Sequence, residues 1–380
     1  MRNASCKRKE RFFNMRLNKR ILALLLAAVM LLGLAACGTT PAQLDTTAPV
    51  TDVPTDAVPD TDETDAEAQA GWQAVTLTDQ TGREVTIETQ PEKIVSGYYI
   101  TTSLLIALGC TDQVVGIEAK AASRNIYALA APTMLDLPNV GSAKDFNLEA
   151  CIAMEPDLVI LPKKLSEPAE TLSSMGIPVL LVNPESGEQL REAISLIGQA
   201  VGKTDRAQAL LDFYDAQEAA LADTLVGQDA PTVYLASSSD VLSTATAKMY
   251  QNQLISAAGG TNVGAELEDT YWATVSYEQL LAWNPDYIVL VPEASYTVED
   301  VCADPQLAGL SAVQNGRVLQ MPTSFEPWDS PVPSSILGTL WLGCALHPDV
   351  CDAAAMQKTV QDFYQEFYGF TADTEDLVIS

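Results

Sequence analysis

One local pattern occurs twice and sets the class of fold. Residues 148–161 read LEACIAMEPDLVIL, and residues 277–290, 129 positions further on, read YEQLLAWNPDYIVL. In each, a helical stretch holding a glutamate (Glu149, Glu278) runs to a Pro-Asp pair (Pro156-Asp157, Pro285-Asp286) and then into an unbroken apolar run. Proline disfavours helical dihedrals in the residue before it and lacks the amide a helix interior needs, so the two helices are expected to end at Glu155 and Asn284. The apolar runs Leu158–Leu161 and Tyr287–Leu290 show no polar alternation, which suits parallel strands covered on both faces. Two such joints so far apart predict two α/β lobes of similar design.

The flanking sequence fits that plan. Val75–Asp79 and Arg83–Ile87, parted by Gln80-Thr81-Gly82, read as a β-hairpin with a glycine-containing turn. Strands at Lys93–Ser96, Gln113–Ile117, Leu158–Leu161 and Pro178–Val182 alternate with helices at Thr102–Leu108, around Glu149 and at Ala169–Met175. Strand, helix, strand with short joints is the doubly wound parallel pattern, whose ligands lie at the carboxyl ends of the strands. Tyr98, Tyr99, Lys163 and Lys164 fall at such ends. A long helix is expected from Asp205 to about Val226 on the stripe Ala207, Leu210, Leu211, Tyr214, Leu221 and Leu225. At 1.5 Å per residue it spans about 33 Å, enough to bridge two lobes. A second lobe then opens with the strand Thr232–Ala236, which ends in Ser237-Ser238-Ser239, and closes with helices at Ser335–Leu346 and Ala353–Tyr368. The expected division is an N-terminal α/β lobe over residues 71–203, a bridging helix within 204–229 and a C-terminal α/β lobe over 230–380, with the ligand cleft between the lobes.

The N-terminus carries targeting chemistry instead. Basic residues between Lys7 and Arg20 precede an apolar run from Ile21 to Leu32, and Leu34-Ala35-Ala36-Cys37-Gly38 follows, which is a secretory signal layout. A cysteine directly after small residues at the end of the apolar run resembles the lipobox of bacterial lipoproteins. That implies removal of residues 1–36 and lipidation of Cys37, so that the protein sits outside the cytoplasm, anchored to the cell membrane. Met15 begins a complete signal of the same kind and is an alternative start. Residues 37–70 are rich in Thr, Pro, Asp and Ala and have no base, so a disordered acidic tether is expected there. The net charge of −29 argues against nucleic acid or an anionic membrane surface as partner, since both need a basic face. Cys110, Cys151, Cys302, Cys344 and Cys351 are odd in number, with no CxxC pair. Their apolar neighbours favour buried thiols over a disulfide frame or a metal site, and no structural zinc is expected.

Two α/β lobes, a long connecting helix and a lipobox cysteine together resemble the helical-backbone substrate-binding proteins of ABC importers, the family that includes receptors for ferric siderophores, haem and cobalamin. The likeness covers about residues 72–370. It is carried by Leu77-Thr78-Asp79 with Gly82-Arg83, by Pro91-Glu92-Lys93-Ile94-Val95, by the two joints, by NGRVLQMP at 315–322 and by FYQEFYGF at 363–370, in that order. The resemblance implies an importer permease as partner, a small-molecule ligand, no cofactor, no catalysis and a monomer. It also places Glu149 and Glu278 on the glutamates, one per lobe, with which such receptors dock onto arginines of the permease. A glutamate two residues after a cap (Asn147, Ser276) also favours the helix N-terminus through the backbone dipole, by about 0.3 to 1 kcal/mol.

For the ligand, the cleft candidates are Tyr98, Tyr99, Arg124, Tyr127, Lys163 and Lys164 in the first lobe. In the second they are Tyr271, Trp272, Phe325 and Trp328. Aromatic rings supply area for a flat or bulky ligand, and Lys or Arg can answer its carboxylates or phosphate. This mixture fits a siderophore, haem or a corrinoid. A molybdate-like oxyanion cradled by Ser237-Ser238-Ser239 and the two lysines is an alternative. Zinc or manganese fits poorly, because His347 is the single histidine. A surface enzyme or adhesin is the remaining alternative, although the chain has no GxSxG elbow, no phosphate-binding glycine loop and no His/Cys metal cluster.

Overall fold

The computed structural model describes residues 71–267, 271–322, 324–375 and 377. The expected signal segment 1–36, Cys37 and the tether 37–70 lie outside the described residues.

β1 (Val75–Thr78) and β2 (Glu84–Ile87) form the antiparallel hairpin. The chain continues as β3 (Ile94–Ser96), α1 (Tyr99–Ala107), β4 (Val114–Gly116) and α2 (Asn125–Ala130). A short pair, β5 (Gly141–Ser142) and β6 (Asp145–Phe146), leads into α3 (Leu148–Ala153), β7 (Leu158–Pro162), α4 (Ser166–Ser174), β8 (Val179–Val182) and α5 (Gly187–Ala200). The sheet order is β4-β3-β7-β8, all parallel, with Val95 beside Val159 and Val159 beside Val179.

After the long helix α6 (Thr204–Thr224) come β9 (Thr232–Ala236), β10 (Ser243–Ala245), α7 (Tyr250–Ala257), β11 (Thr261–Asn262) and β12 (Trp272–Thr274). Then follow α8 (Tyr277–Trp283), β13 (Tyr287–Leu290), α9 (Val298–Ala303), α10 (Ser311–Gln314), β14 (Val318–Gln320), α11 (Ser335–Leu346) and α12 (Ala353–Tyr368). This sheet runs β12-β10-β9-β13-β14, with β11 also on β9. The β9-β13-β14 core is parallel, while β10 pairs antiparallel with both β9 and β12. The second lobe is therefore mixed rather than purely parallel.

Each joint strand is buried on both faces, as its unbroken apolar run requires. In β7, Leu158 and Ile160 enter one apolar cluster while Val159 and Leu161 enter another, the alternation that a pleated strand imposes. In β13, Tyr287 and Val289 face the first of these clusters and Ile288 and Leu290 a third. Burying each such Leu, Ile or Val contributes about 1.5–3 kcal/mol. The shared cluster is continuous from one sheet to the other through α6, α11 and α12.

Contacts at both ends of α6 account for that continuity. Arg206 donates to the carbonyls of Ala107 in α1 and Glu366 in α12 at 2.7 and 2.6 Å, and Tyr214 donates to the Pro333 carbonyl at 2.6 Å. Further along, Leu221 packs against Gly343 of α11 so closely that a Cβ there would lie 2.9 Å from its Cδ1. Glu326, fully enclosed, accepts hydrogen bonds from Ser103 of α1, Ser334 and Tyr368 of α12.

The cysteine expectation needs correction. Cys344 and Cys351 form a disulfide with a Cα–Cα distance of 5.0 Å, while Cys110 and Cys151 are buried free thiols and Cys302 is exposed. Apolar neighbours misled the reading of this pair. The turn after α11, where the His347 amide bonds the Gly343 carbonyl and the Cys351 amide bonds the His347 carbonyl, brings Cys351 back to the helix end.

Candidate functional site

A cleft of about 810 Å³ opens where the carboxyl ends of the two sheets meet. Chain order explains its lining. From the first lobe, Tyr98 and Tyr99 follow β3, Arg124 precedes α2, Lys164 follows β7 and Glu185 follows β8. From the second, Ser237-Ser238-Ser239 follow β9, Lys248 to Gln251 open α7, and Tyr271-Trp272 open β12. Glu293 follows β13, and Asp329 and Ser330 lie in the loop after β14. Backbone amides and side chains fan out at these strand ends because the next helix must turn back there, which is why ligands of doubly wound sheets bind at this edge.

The electrostatics are mixed. Arg124, Lys164 and Lys248 face Glu185, Glu293 and Asp329 across the same space. Arg124 is held in place: its guanidinium carbon lies 4.0 Å over the Tyr99 ring, and its Nε is 3.8 Å from Glu118 Oε1. Glu118 is buried and accepts hydrogen bonds from Thr102 Oγ1 at 2.6 Å and the Tyr127 hydroxyl at 2.7 Å. Burial pushes its carboxyl above the ordinary range, against the opposing pull of those donors and Arg124. Burial likewise pushes the Tyr98 and Tyr99 phenols up, so both enter the cleft as neutral groups. Asp329 is raised to about 6, chiefly by burial, with Glu293 adding to the shift. Across the mouth, the Tyr271 hydroxyl reaches Glu185 Oε2 at 3.4 Å, and the Gly187 amide bonds Gln253 Oε1 at 2.8 Å.

Six expected residues line this cleft: Tyr98, Tyr99, Arg124, Lys164, Tyr271 and Trp272. Four do not. Lys163, one residue before Lys164, is exposed and outside the lining. Tyr127 is buried behind Arg124 and, with Phe325, lines a smaller side cavity of about 170 Å³. Trp328 is core: its Nε1 donates to the Tyr364 hydroxyl at 2.9 Å and its ring stacks near Phe325. Phe325 packs 4.6 Å from Tyr364, centroid to centroid. Sequence reasoning missed Glu185, Lys248, Tyr250, Gln251, Glu293, Asp329 and Ser330. Glu185 and Glu293 sit just past a strand's carboxyl end and Lys248, Tyr250 and Gln251 at the start of α7, whereas Asp329 and Ser330 lie nine and ten residues past β14 and carry no such signal. Among the described residues no group of three or more His, Cys, Asp or Glu is arranged to hold a metal ion.

Glu149 and Glu278 are exposed in the first turns of α3 and α8. Asn147 caps α3 by accepting from the Ala150 amide at 3.0 Å, and Ser276 caps α8 by accepting from the Gln279 amide at 3.2 Å. Backbone and Ser276 hydrogen bonds hold the Glu278 carboxyl below its usual range. Both helices start on the cleft side. The Asn147 amide bonds the Val140 carbonyl, and the Val140 amide bonds Ile117, just past the carboxyl end of β4. The Val275 amide bonds the Leu242 carbonyl, next to β10, whose Thr244 pairs with Ala236 at the carboxyl end of β9. Each joint then finishes at the opposite sheet edge, where Asp157 and Asp286 meet the starts of β3 and β9. Both glutamates therefore lie toward the edge at which the cleft opens.

Comparison with known proteins agrees with this architecture. The family profile described as periplasmic binding protein matches residues 94–324. The molybdate-binding protein MolA of Haemophilus influenzae is 28% identical over 320 residues, 77% of this chain and 90% of that protein. Its molybdate-bound structure superposes with a TM-score of 0.70 at 26% identity, covering 79% of this chain and 99% of MolA. An uncharacterized ABC transporter substrate-binding lipoprotein of Bacillus subtilis, YvrC, is 30% identical over 70% of this chain and 78% of its own length. The vitamin B12-binding protein of Yersinia pestis is 24% identical over 52% of this chain and 69% of that protein. With two α/β lobes, a long backbone helix and a cleft at the facing strand ends, the chain belongs to the periplasmic binding protein family, as a non-enzymatic, extracytoplasmic substrate-binding protein that serves an ABC importer.

Proposed function

We propose that this protein captures a chelate-sized organic ligand, of the ferric siderophore, haem or corrinoid class, and delivers it to its importer. The observation that carries the reading is the cleft itself: about 810 Å³, walled by Tyr98, Tyr99, Tyr250, Tyr271 and Trp272, with charges of both signs. Pockets for drug-sized organic ligands run to about 300–1,000 Å³ and are mostly aromatic and apolar with a few placed polar groups. A tetrahedral oxyanion is far smaller and would meet three carboxylates in the same space. Delivery rests on Glu149 and Glu278 as permease-docking groups, one on each lobe beside the cleft. Lipidation at Cys37 and a tether over residues 37–70 complete the reading by holding the two-lobed body, 71–203 and 230–380 around the helix within 204–229, near the permease. The apolar cluster continuous across both lobes favours a small closing motion on ligand binding.

One specific arrangement favours a second reading. Ser237-Ser238-Ser239, Arg124, Lys164 and Lys248 offer hydroxyls and cations to an oxyanion, and the MolA relative is named for molybdate. A thermal-melting panel on the full chain in detergent separates the two, because a ligand that binds only the native state raises its stability by about 2.7 kcal/mol at a hundred times its dissociation constant. Ferric siderophores, haem, cyanocobalamin and molybdate are the probes. A shift with one of the organic complexes supports the proposal, and a shift with molybdate alone replaces it with the second reading.

A further inference from the structure

Among the described residues, the floor of the cleft holds one buried acceptor that no donor answers, beside a buried carboxylate with no cation paired to it. Gln251, in the first turn of α7, is only 5% exposed. Its Nε2 donates to Asp329 Oδ2 at 3.1 Å, but its own Oε1 has no hydrogen-bond partner among the described residues. Asp329 is only 6% exposed, and among the described residues no Lys or Arg forms an ion pair with it. The charged side chain whose field reaches it is another acid, Glu293. Buried polar groups are almost always hydrogen-bonded, and buried charges are paired. Here both groups line the cleft, so the missing donor has a place from which to arrive.

We propose that Gln251 and Asp329 form a subsite for a protonated amine of the ligand, with Asp329 answering the charge and Gln251 Oε1 taking a second N–H. The inference rests on the reading of the cleft as the site of an organic ligand and narrows that ligand to one bearing a cationic nitrogen. The aromatic walls then hold the body of the ligand, and Arg124 and Lys164 on the opposite lobe are left for its anionic or carbonyl groups. A small dianion gains nothing at this floor, because it would meet a buried carboxylate and an amide oxygen.

A matched trio of fragments tests the subsite without knowledge of the native ligand. Benzylamine, benzyl alcohol and benzoate share a ring that suits the walls and differ in presenting a cation, a neutral donor and an anion. Their affinities for the full chain in detergent are read by saturation-transfer NMR. The expected order is benzylamine, then benzyl alcohol, then benzoate, with about tenfold between first and last, the size of a charge-assisted hydrogen bond. Asp329→Asn should remove the advantage of benzylamine over benzyl alcohol, and Gln251→Leu should weaken both. If either variant melts early, the ranking on the unaltered chain decides alone. Equal binding of the three, a preference for benzoate, or no transfer to benzylamine overturns the subsite. A siderophore, haem or corrinoid that binds while benzylamine does not would remove the subsite and leave the ligand reading. Benzylamine binding with no organic complex bound would do the reverse.

Discussion

Asp157 and Asp286, 129 residues apart in sequence, perform the same structural task. The Asp157 carboxylate accepts the backbone amides of Glu92 and Lys93 at 2.9 Å each, at the start of β3. Asp286 Oδ2 accepts the amide and hydroxyl of Thr232 at 2.8 and 2.7 Å, at the start of β9, and its own amide donates back to Thr232 Oγ1 at 2.9 Å. Each Pro-Asp pair thus ends a helix and pins the first strand of its lobe's sheet beside its own strand.

Asp286→Ala is expected to destabilise the fold by about 1–3 kcal/mol, since two donors at a strand start lose a charged acceptor. Asp157→Ala should cost a similar amount. The hydrogen bonds from Thr232 hold the Asp286 carboxyl below its usual range, so its contribution is present above the unfolded value and lost as pH falls through the lower folded one. Denaturant melts from pH 7 down to acid should show the Asp286→Ala deficit shrinking with acidity.

Replacing Glu155 is expected to stabilise the fold. It sits at φ 48°, and its counterpart Asn284 at φ 43°. Left-handed backbone is tolerated by Asn and free to Gly but strained for Glu. Its exposed pairing with Lys93 at 3.6 Å is worth little. Glu155→Asn is expected to raise stability by about 0.5–1 kcal/mol, measured by denaturant midpoint.

Asp329→Asn also tests the cleft floor through stability. The folded carboxyl is raised to about 6, so the native state holds its proton more tightly than the unfolded chain does. Its contribution to stability is full below the unfolded value and is lost as pH rises through about 6. The groups facing it are Glu293, Gln251, Tyr99 and Tyr250. At pH 8 the amide, which carries no charge to bury, should be more stable than wild type by about 1–3 kcal/mol, and the two should converge near pH 4.

Reduction of the Cys344–Cys351 disulfide, which closes a short loop, should lower stability by about 2 kcal/mol. The paired change Cys344→Ser with Cys351→Ser, melted with and without reductant, checks it: the variant should match the reduced wild type and ignore the reductant.

Glu149→Arg with Glu278→Arg should abolish ligand uptake in cells while leaving ligand affinity unchanged, because both side chains are exposed and outside the cleft lining. The reversed charges at two helix N-termini should lower the melting temperature slightly. A loss of affinity in the purified variant would remove the docking role.

The joints were legible because their physics is local. A proline fixes where the helix stops, and an apolar run without alternation requires two covered faces; α3 and α8 end within two residues of the expected points. The long helix also fell within two residues of its expected ends. The second sheet's antiparallel β10 and β12 were not foreseen, since three-residue strands carry too little periodicity. Nor was the disulfide, which depends on a turn rather than on its neighbours. At the site, Tyr98, Tyr99 and Lys164 were readable as residues just past strand ends. Trp328 and Phe325 were not separable from cleft residues, because an aromatic ring suits a core and a cleft equally well and only packing against Tyr364 decides. Gln251 and Asp329 meet across 78 positions in sequence, a pairing that no local pattern encodes.

The ligand class is tested most directly by calorimetric titration of the full chain with a ferric trihydroxamate, a ferric catecholate, haem, cyanocobalamin and molybdate, repeated with Trp272→Ala. One of the organic complexes is expected to bind one per chain, Trp272→Ala to weaken it about tenfold through loss of aromatic area in the cleft, and molybdate to give no binding heat. Saturation by molybdate at one per chain, with none of the organic complexes bound, would contradict the proposed ligand class.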